Sequence, residues 1–315
     1  MTTSTAGIHH VTAFCGEPNR NAEFYVGLLG LRLVKFTVNH DDTSTLHLYY
    51  GDYHGTPGTN LTFFPRTSPG ESGKFGAGQT RDTAYAIRPA PLDYWRQRLK
   101  NHEVPFNETR RFDDTVLSVS DPDEINIELV ATDTADDADI TPWADSPVMP
   151  EHQLRGFYGV TLAVDDAEPT ERVLTDSLGY ERIGASDNRI RLRAEGAAPA
   201  SIVDIAETDL GRGKMGIGTV HHVAFSVDDL EHQDEVRRAL IDAGLSPTDS
   251  IDRRYFQSIY CREPGGTLFE FATMSPGFTA DEDLKKLGMT LVLPEWLEDK
   301  RDEIEASIPD FTPPS

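Results

Sequence analysis

Along most of the chain, short runs alternate between hydrophobic and polar positions, and a few stretches carry the three-to-four-residue spacing of an amphipathic helix. These elements recur in one order, an opening strand, a helix and then further strands, over about 8–65, 83–131, 156–206 and 219–273. The first segment opens with IHHVTAF, continues with a helix at NRNAEFYVGLLG that Gly30 terminates, and closes with NLTFF. The second reads TAYAI, a helix near LDYWRQRLKNH, then INIELV. YGVTLAVDD at 158–166 matches HHVAFSVDD at 221–229, and SIVDIAE at 201–207 matches TLFEFAT at 267–273, so the third and fourth segments align. Each segment is a βαβββ unit, and four such units define an α+β protein with curved mixed sheets.

Between the second and third units, ATDTADDADITPWADSPVMPEHQ is acidic, contains prolines and has no hydrophobic period, which marks a linker. The expected organisation is a first domain over 1–135 (units 1 and 2), an acidic linker over 136–152, a second domain over 153–275 (units 3 and 4) and a helical extension over 276–315, around DEDLKKLGM and PEWLEDKRDEIEASI.

The candidate chemistry lies in two HH pairs, His9-His10 and His221-His222, which open the first and fourth units. In HHVAFSV, Val223, Phe225 and Val227 share one face and His222, Ala224 and Ser226 the other. A curved sheet turns its bulky apolar face to the helices, so His222 faces the concavity. The same parity groups His10 with Thr12, and Glu270 lies opposite Phe269 and Phe271. Two imidazoles and one carboxylate leave three positions open on a metal, the ligand set of non-heme Fe(II) and, less often, Mn(II). A lone strand histidine is more often a core or surface residue than a ligand, but two HH pairs at equivalent repeat positions reverse that expectation. Position 222 corresponds to Gly159 and position 270 to Asp204, while the second unit offers Glu128 and no histidine, so units 2 and 3 are expected to form a metal-free cup. His10 joins this set only if the first and fourth units pair across the fold.

Composition narrows the partners. The formal charge of −24 repels nucleic acid and anionic membrane and favours a small-molecule site. Seven lysines against 22 arginines, with carboxylates spread along the chain, resemble the composition of halophilic, haloarchaeal proteins. Cys15 and Cys261 are too few for a disulfide framework and are expected as buried free thiols. The N-terminus has no basic, apolar leader and no stretch reaches membrane-spanning length, so a cytoplasmic protein is expected, with a homo-oligomer left open. GRGKMG at 211–216 fits G-x-G-x-x-G but opens no helix, so it is read as a turn; GESGKFGAG at 70–78 is read as a mobile connection. His47, His54, His102, His152 and His232 have no matching partners and default to surface or structural roles.

The repeat order resembles the vicinal-oxygen-chelate superfamily of glyoxalase I, bleomycin-resistance proteins and extradiol dioxygenases over nearly the whole chain. HHVT at 9–12, YYGD…GTPGTNLTFFP at 49–65, VHHVAFSV and RRYFQSIYCREPGGTLFEF together resemble the hydroquinone-type ring-cleaving dioxygenases, such as dichlorohydroquinone 1,2-dioxygenase. The resemblance implies two vicinal-oxygen-chelate domains, metal ligands at His10, His222 and Glu270, and an Fe(II)-dependent cleavage of a hydroquinone- or catechol-type diol with O2 as co-substrate. Around the metal it points to His9, Thr12, His221, Arg254 and Tyr260: imidazoles that take a proton from the diol or steady an anionic oxygen, a fixed cation and a hydroxyl donor. Two other readings stand beside it. A glyoxalase-like isomerase or lyase normally has a fourth protein ligand, and that position falls near Thr62, a poor donor. A non-catalytic resistance protein would hold an aromatic ligand without metal.

Overall fold

A computed structural model of the chain describes residues 4–66, 71–195 and 200–314. The four expected units are present. Unit 1 contributes β1 (Ile8–Cys15), β2 (Arg32–Asn39), β3 (Asp42–Gly51) and β4 (Asn60–Pro65), with a short helix, α1 (Pro18–Ala22), after the first strand. Unit 2 contains β5 (Gln79–Ile87), α2 (Leu92–Asn101), β6 (Phe106–Arg111), β7 (Asp114–Ser120) and β8 (Asn126–Ala131). Unit 3 follows with β9 (Phe157–Val164), α3 (Ala167–Arg172), β10 (Tyr180–Ser186), β11 (Arg189–Ala194) and β12 (Ile202–Glu207). Unit 4 is β13 (Thr219–Val227), α4 (Leu230–Asp242), β14 (Ile251–Asp252), β15 (Gln257–Arg262) and β16 (Leu268–Thr273). Asp229 caps α4, its carboxylate accepting from the amides of Glu231 and His232, and Val236 and Leu240 turn inward.

The units assemble into two eight-stranded mixed sheets, but not in chain order. One sheet runs β14-β15-β16-β13-β1-β4-β3-β2 and joins units 1 and 4; the other runs β10-β11-β12-β9-β5-β8-β7-β6 and joins units 2 and 3. Chain-order halves and sheets therefore cut the molecule differently. At the centre of the first sheet β1 and β13 run antiparallel, His10 facing Ala224 and Thr12 facing His222. Strand β16 runs parallel to β13 with Glu270 beside Ala224, and β4 runs parallel to β1 with Thr62 beside Thr12. Alternation divides the faces as the pattern requires: Val223, Phe225, Val227, Phe269 and Phe271 enter the main hydrophobic core, while His10, His222 and Glu270 turn to the concave side.

The acidic stretch 136–152 holds no strand or long helix and runs against unit 1, where Ser146 Oγ donates to Gly30 O at 2.8 Å. The two glycine-bearing loops lie against each other, bridging at Ser72–Ile217, Lys74–Lys214 and Ala77–Arg212; Gly70 lies outside the described residues. Over 71–78 the connection expected to be mobile is bridged to 212–217 at these three points. Their glycines permit the close approach, since a Cβ on Gly76 would sit 2.4 Å from the Gly211 carbonyl oxygen. The C-terminal extension is less helical than expected: short 3₁₀ turns at Phe278–Ala280, Leu284–Lys286 and Glu295–Lys300 precede one helix, α5 (Arg301–Ser307). Gly277, Gly288 and Pro294 interrupt any longer period. No helix among the described residues is long and apolar enough to cross a membrane.

Candidate metal centre

Strand register brings the three candidate ligands to one point. His10 Nε2 lies 3.2 Å from His222 Nε2 and 3.4 Å from Glu270 Oε2, and His222 Nε2 lies 2.8 Å from that same oxygen. All three side chains are buried. Glu270 Oε1 accepts from Ser258 Oγ, whereas Oε2 is buried with no hydrogen-bond partner of its own. Among the described residues no lysine or arginine pairs with this carboxylate; its ionic neighbours are the two histidines. Burial opposes ionisation of Glu270, yet the adjacent His10 and His222 imidazoles more than offset this and hold its carboxyl well below the usual range. Burial also lowers the pKa of His222, so the favoured donor set is an imidazole with a free lone pair beside a carboxylate anion. Three donor atoms converging on one point, one of them on a buried carboxylate whose ionic neighbours are two imidazoles and no lysine or arginine among the described residues, fit a divalent cation.

The preceding histidine of each pair holds the ring behind it. His9 Nδ1 lies 2.9 Å from His10 Nδ1, and His221 Nδ1 lies 2.7 Å from His222 Nδ1. With Nε2 facing the metal position, the Nδ1 proton of His10 and of His222 donates and the neighbouring imidazole accepts, which fixes tautomer and ring orientation. Burial, with the adjacent imidazole, lowers His9 and His221 to about 3, so both are neutral acceptors. His9 and His221 therefore contact the candidate ligands directly, and His221 also lines the cavity above them. Thr12 Oγ1 is likewise committed, to Thr62 Oγ1 at 2.8 Å, and Thr62 occupies the place beside β1 where a fourth ligand would come.

A cavity of about 290 Å³ opens over this cluster. That volume is near the lower end of small-ligand pockets and suits a single ring. One wall comes from His47 and Tyr49 of β3 and Phe64 of β4; the other from His221, Leu268, Tyr260 and Arg253; the β2–β3 turn, with His40 and Asp41, borders the mouth. Phe256 packs its ring against His9 and His10, with centroids 5.1 Å from each.

Two expectations change at this site. The cation beside Tyr260 is Arg253, not Arg254: Arg253 Nε donates to Tyr260 Oη at 3.1 Å and Nη1 to Asp41 at 2.9 Å. Arg254 sits at φ 72° and turns away, its Nε 3.5 Å from Asp281. Burial, reinforced by Glu270, raises Tyr260 well above the ordinary phenol range, so it stays protonated. His47 is the second change, a half-buried residue that lines the cavity. Its Nε2 lies 2.9 Å from Thr62 Oγ1, its Nδ1 2.9 Å from Tyr49 Oη, and its ring 4.3 Å from that of Phe64. The signal was available in LHLYY, where Leu46, Leu48 and Tyr50 take the core face and leave His47 with Tyr49 on the concave one. Cys15 and Cys261 are buried free thiols away from the cluster.

Comparison with known proteins fits this arrangement. The model of the Glyoxalase/Bleomycin resistance protein/Dioxygenase superfamily matches residues 7–129 and 143–271. The chain belongs to that superfamily. It is 39% identical over 311 residues to MhqO of Bacillus subtilis (strain 168), named as a ring-cleaving dioxygenase, covering 99% of this chain and 98% of the relative. It is 36% identical over 308 residues to the chlorohydroquinone/hydroquinone 1,2-dioxygenase of Sphingobium indicum, covering 95% and 94%. A crystal structure described as a dioxygenase from Bacillus subtilis superposes over 100% of both chains with a TM-score of 0.94 at 38% identity. Glyoxalase I of Zea mays shares the fold, with a TM-score of 0.61 at 15% identity over 89% of this chain and 95% of that one.

Proposed function

We propose that this chain is a ring-cleaving dioxygenase that holds one Fe(II) at His10, His222 and Glu270 and acts on a hydroquinone-type aromatic diol with O2. The observation that carries the reading is a two-histidine, one-carboxylate cluster with Thr62 in place of a fourth donor, at the base of a ring-sized cavity. The names of the relatives agree with it. Fe(II), when bound, supplies the redox chemistry that O2 and an aromatic diol need; Mn(II) is the alternative ion for the same donors.

The protein's own part is binding, orientation and charge. His9 and His221 hold the ligand imidazoles, and Ser258 orients Glu270. Arg253 polarises the Tyr260 hydroxyl and places a fixed cation where an anionic substrate oxygen arrives. Phe64, Leu268 and Phe256 supply the apolar surface that receives a ring and excludes water. A glyoxalase-like isomerisation is disfavoured by the threonine at the fourth position, and a metal-free resistance protein by the convergence of two imidazoles and a buried carboxylate on one point. The carboxylate-rich, lysine-poor composition extends the proposal to a cytoplasmic enzyme working in high salt.

The test is anaerobic reconstitution with Fe(II) in concentrated KCl, followed by O2 uptake with hydroquinone, chlorohydroquinone, methylhydroquinone and catechol. Uptake with a para-diol, accompanied by a ring-opened product, supports the proposal. Absence of uptake with every diol, alongside turnover of a thiohemiacetal, refutes it.

A further inference from the structure

The turn that delivers Arg253 to the cavity is built from both sides. Arg253 N donates to Phe256 O at 3.0 Å, and Arg254 N donates to Asp252 Oδ1 at 2.7 Å. Arg254 at φ 72° is in the left-handed region, a conformation that a long side chain holds only when its surroundings enforce it. This one residue reverses the alternation, so Arg253 points over Tyr260 and Arg254 points to the opposite side.

On that opposite side lies the C-terminal extension. Asp281 accepts from Lys35 Nζ at 2.8 Å through Oδ1 and from Tyr255 Oη at 3.1 Å through Oδ2, with Arg254 Nε 3.5 Å from Oδ2. Glu282 is the second carboxylate on Lys35 Nζ, and the Phe278 carbonyl is 3.4 Å away. Lys35 is fully buried and its ammonium stands 4.6 Å from the centre of the Tyr255 ring. Lys35 and Arg254 thus face Asp281 and Glu282, and loss of the Asp281 charge would leave Lys35 on Glu282 alone and the Arg254 side chain without a carboxylate. Gly277 N donates to Tyr255 O at 2.9 Å, and the Phe278 ring packs on Tyr255 and Tyr49 at 5.2 and 5.1 Å. The extension thus grips Arg254 and Tyr255, which lie between Arg253, a residue of the cavity, and Phe256, which packs on His10.

We propose that Asp281 is a positioning residue, acting from outside the cavity through Arg254 and Tyr255 to hold the turn that aims Arg253 at the substrate. The kinetic part of this inference rests on the diol reading above; the structural part does not.

The experiment compares the full-length wild type with Asp281→Asn, Asp281→Glu and Arg254→Ala, and with Asp283→Asn as a control on an exposed residue of the same extension. Amide exchange is followed at 253–257 and at β13, and KM and kcat for hydroquinone are measured on Fe(II)-loaded protein. For Asp281→Asn the turn amides are expected to exchange about tenfold faster while β13 is unchanged, and KM rises about tenfold with kcat within about twofold, the size of one lost charge-assisted hydrogen bond. Asp281→Glu recovers part of both, Asp283→Asn matches the wild type, and iron content is the same in all. Arg254→Ala shifts both readouts in the same direction by a smaller factor and decides the matter if Asp281→Asn does not fold. Unchanged exchange at 253–257 overturns the proposal, as does a loosened turn with wild-type kinetics or a loss confined to kcat. If no variant and no wild type turns over the diol, the function proposed above has failed, and the exchange arm alone decides the role of Asp281.

Discussion

The two sheets are the same scaffold with different answers to a buried carboxylate. Register equates Asp82 with His10, Gly159 with His222, Asp204 with Glu270 and Glu128 with Thr62. In the second sheet every one of these carboxylates has an arginine. Arg189 bridges Asp82 and Asp204 at 3.3 and 3.2 Å, Arg191 binds Asp204 through two nitrogens at 2.8 and 2.9 Å, and Arg111 binds Glu128 through two at 2.7 and 2.8 Å. A histidine cannot enter at position 159 as the strands stand, because a Cβ there would lie 2.4 Å from the Ile202 carbonyl oxygen. In the first sheet Glu270 has imidazoles beside it and no guanidinium among the described residues. A buried anion requires a compensating cation. One cup contains its cations in the sequence; under the proposed function the other takes its cation from solution.

Substitutions that exchange these roles sharpen the contrast. Glu270→Gln removes the anion and is expected to weaken Fe(II) binding by more than about 100-fold while the protein stays folded, checked by metal content after dialysis and by circular dichroism. Retention of stoichiometric iron would place the metal elsewhere. Arg189→Ala, in the other cup, is expected to lower stability by about 3–5 kcal/mol in urea unfolding, since it leaves Asp82 and Asp204 under-compensated, with no change in iron content. A loss of iron instead would mean that the second cup is no mere support. His221→Ala is expected to reduce iron affinity about 10- to 100-fold, the usual cost of releasing the second nitrogen of a ligand imidazole. Arg253→Ala is expected to leave iron in place and lower kcat/KM by about tenfold; an unchanged value would return the role to Arg254.

Alternation carried most of the fold and the metal centre. In β13 and β16 the apolar residues Val223, Phe225, Phe269 and Phe271 select the face on which His222 and Glu270 must lie, and a strand preserves that parity over its length. The pairing of units 1 and 4 was legible only indirectly, as a condition for His10 to join the site, because sheet order depends on long-range packing. Parity fails where backbone leaves the strand. Arg253 and Arg254 precede β15, and the left-handed residue between Arg253 and Tyr255 makes a one-residue shift invisible to periodicity. The arginine that reaches Asp82 is Arg189 of β11, 107 residues away, so that compensation emerges only from the assembled sheet. Lys35 is similar: one lysine in an apolar strand gives no sign that its counterions arrive from Asp281 and Glu282 some 246 residues later.

The most direct test of the account is a titration of metal-stripped protein with Fe(II) under anaerobic conditions, each point then assayed for O2 uptake with hydroquinone. Activity is expected to rise linearly and stop at one iron per chain, because only one of the two cups lacks its own cation. Saturation at two irons per chain, or a fully loaded protein that consumes no O2 with the diol, would contradict it.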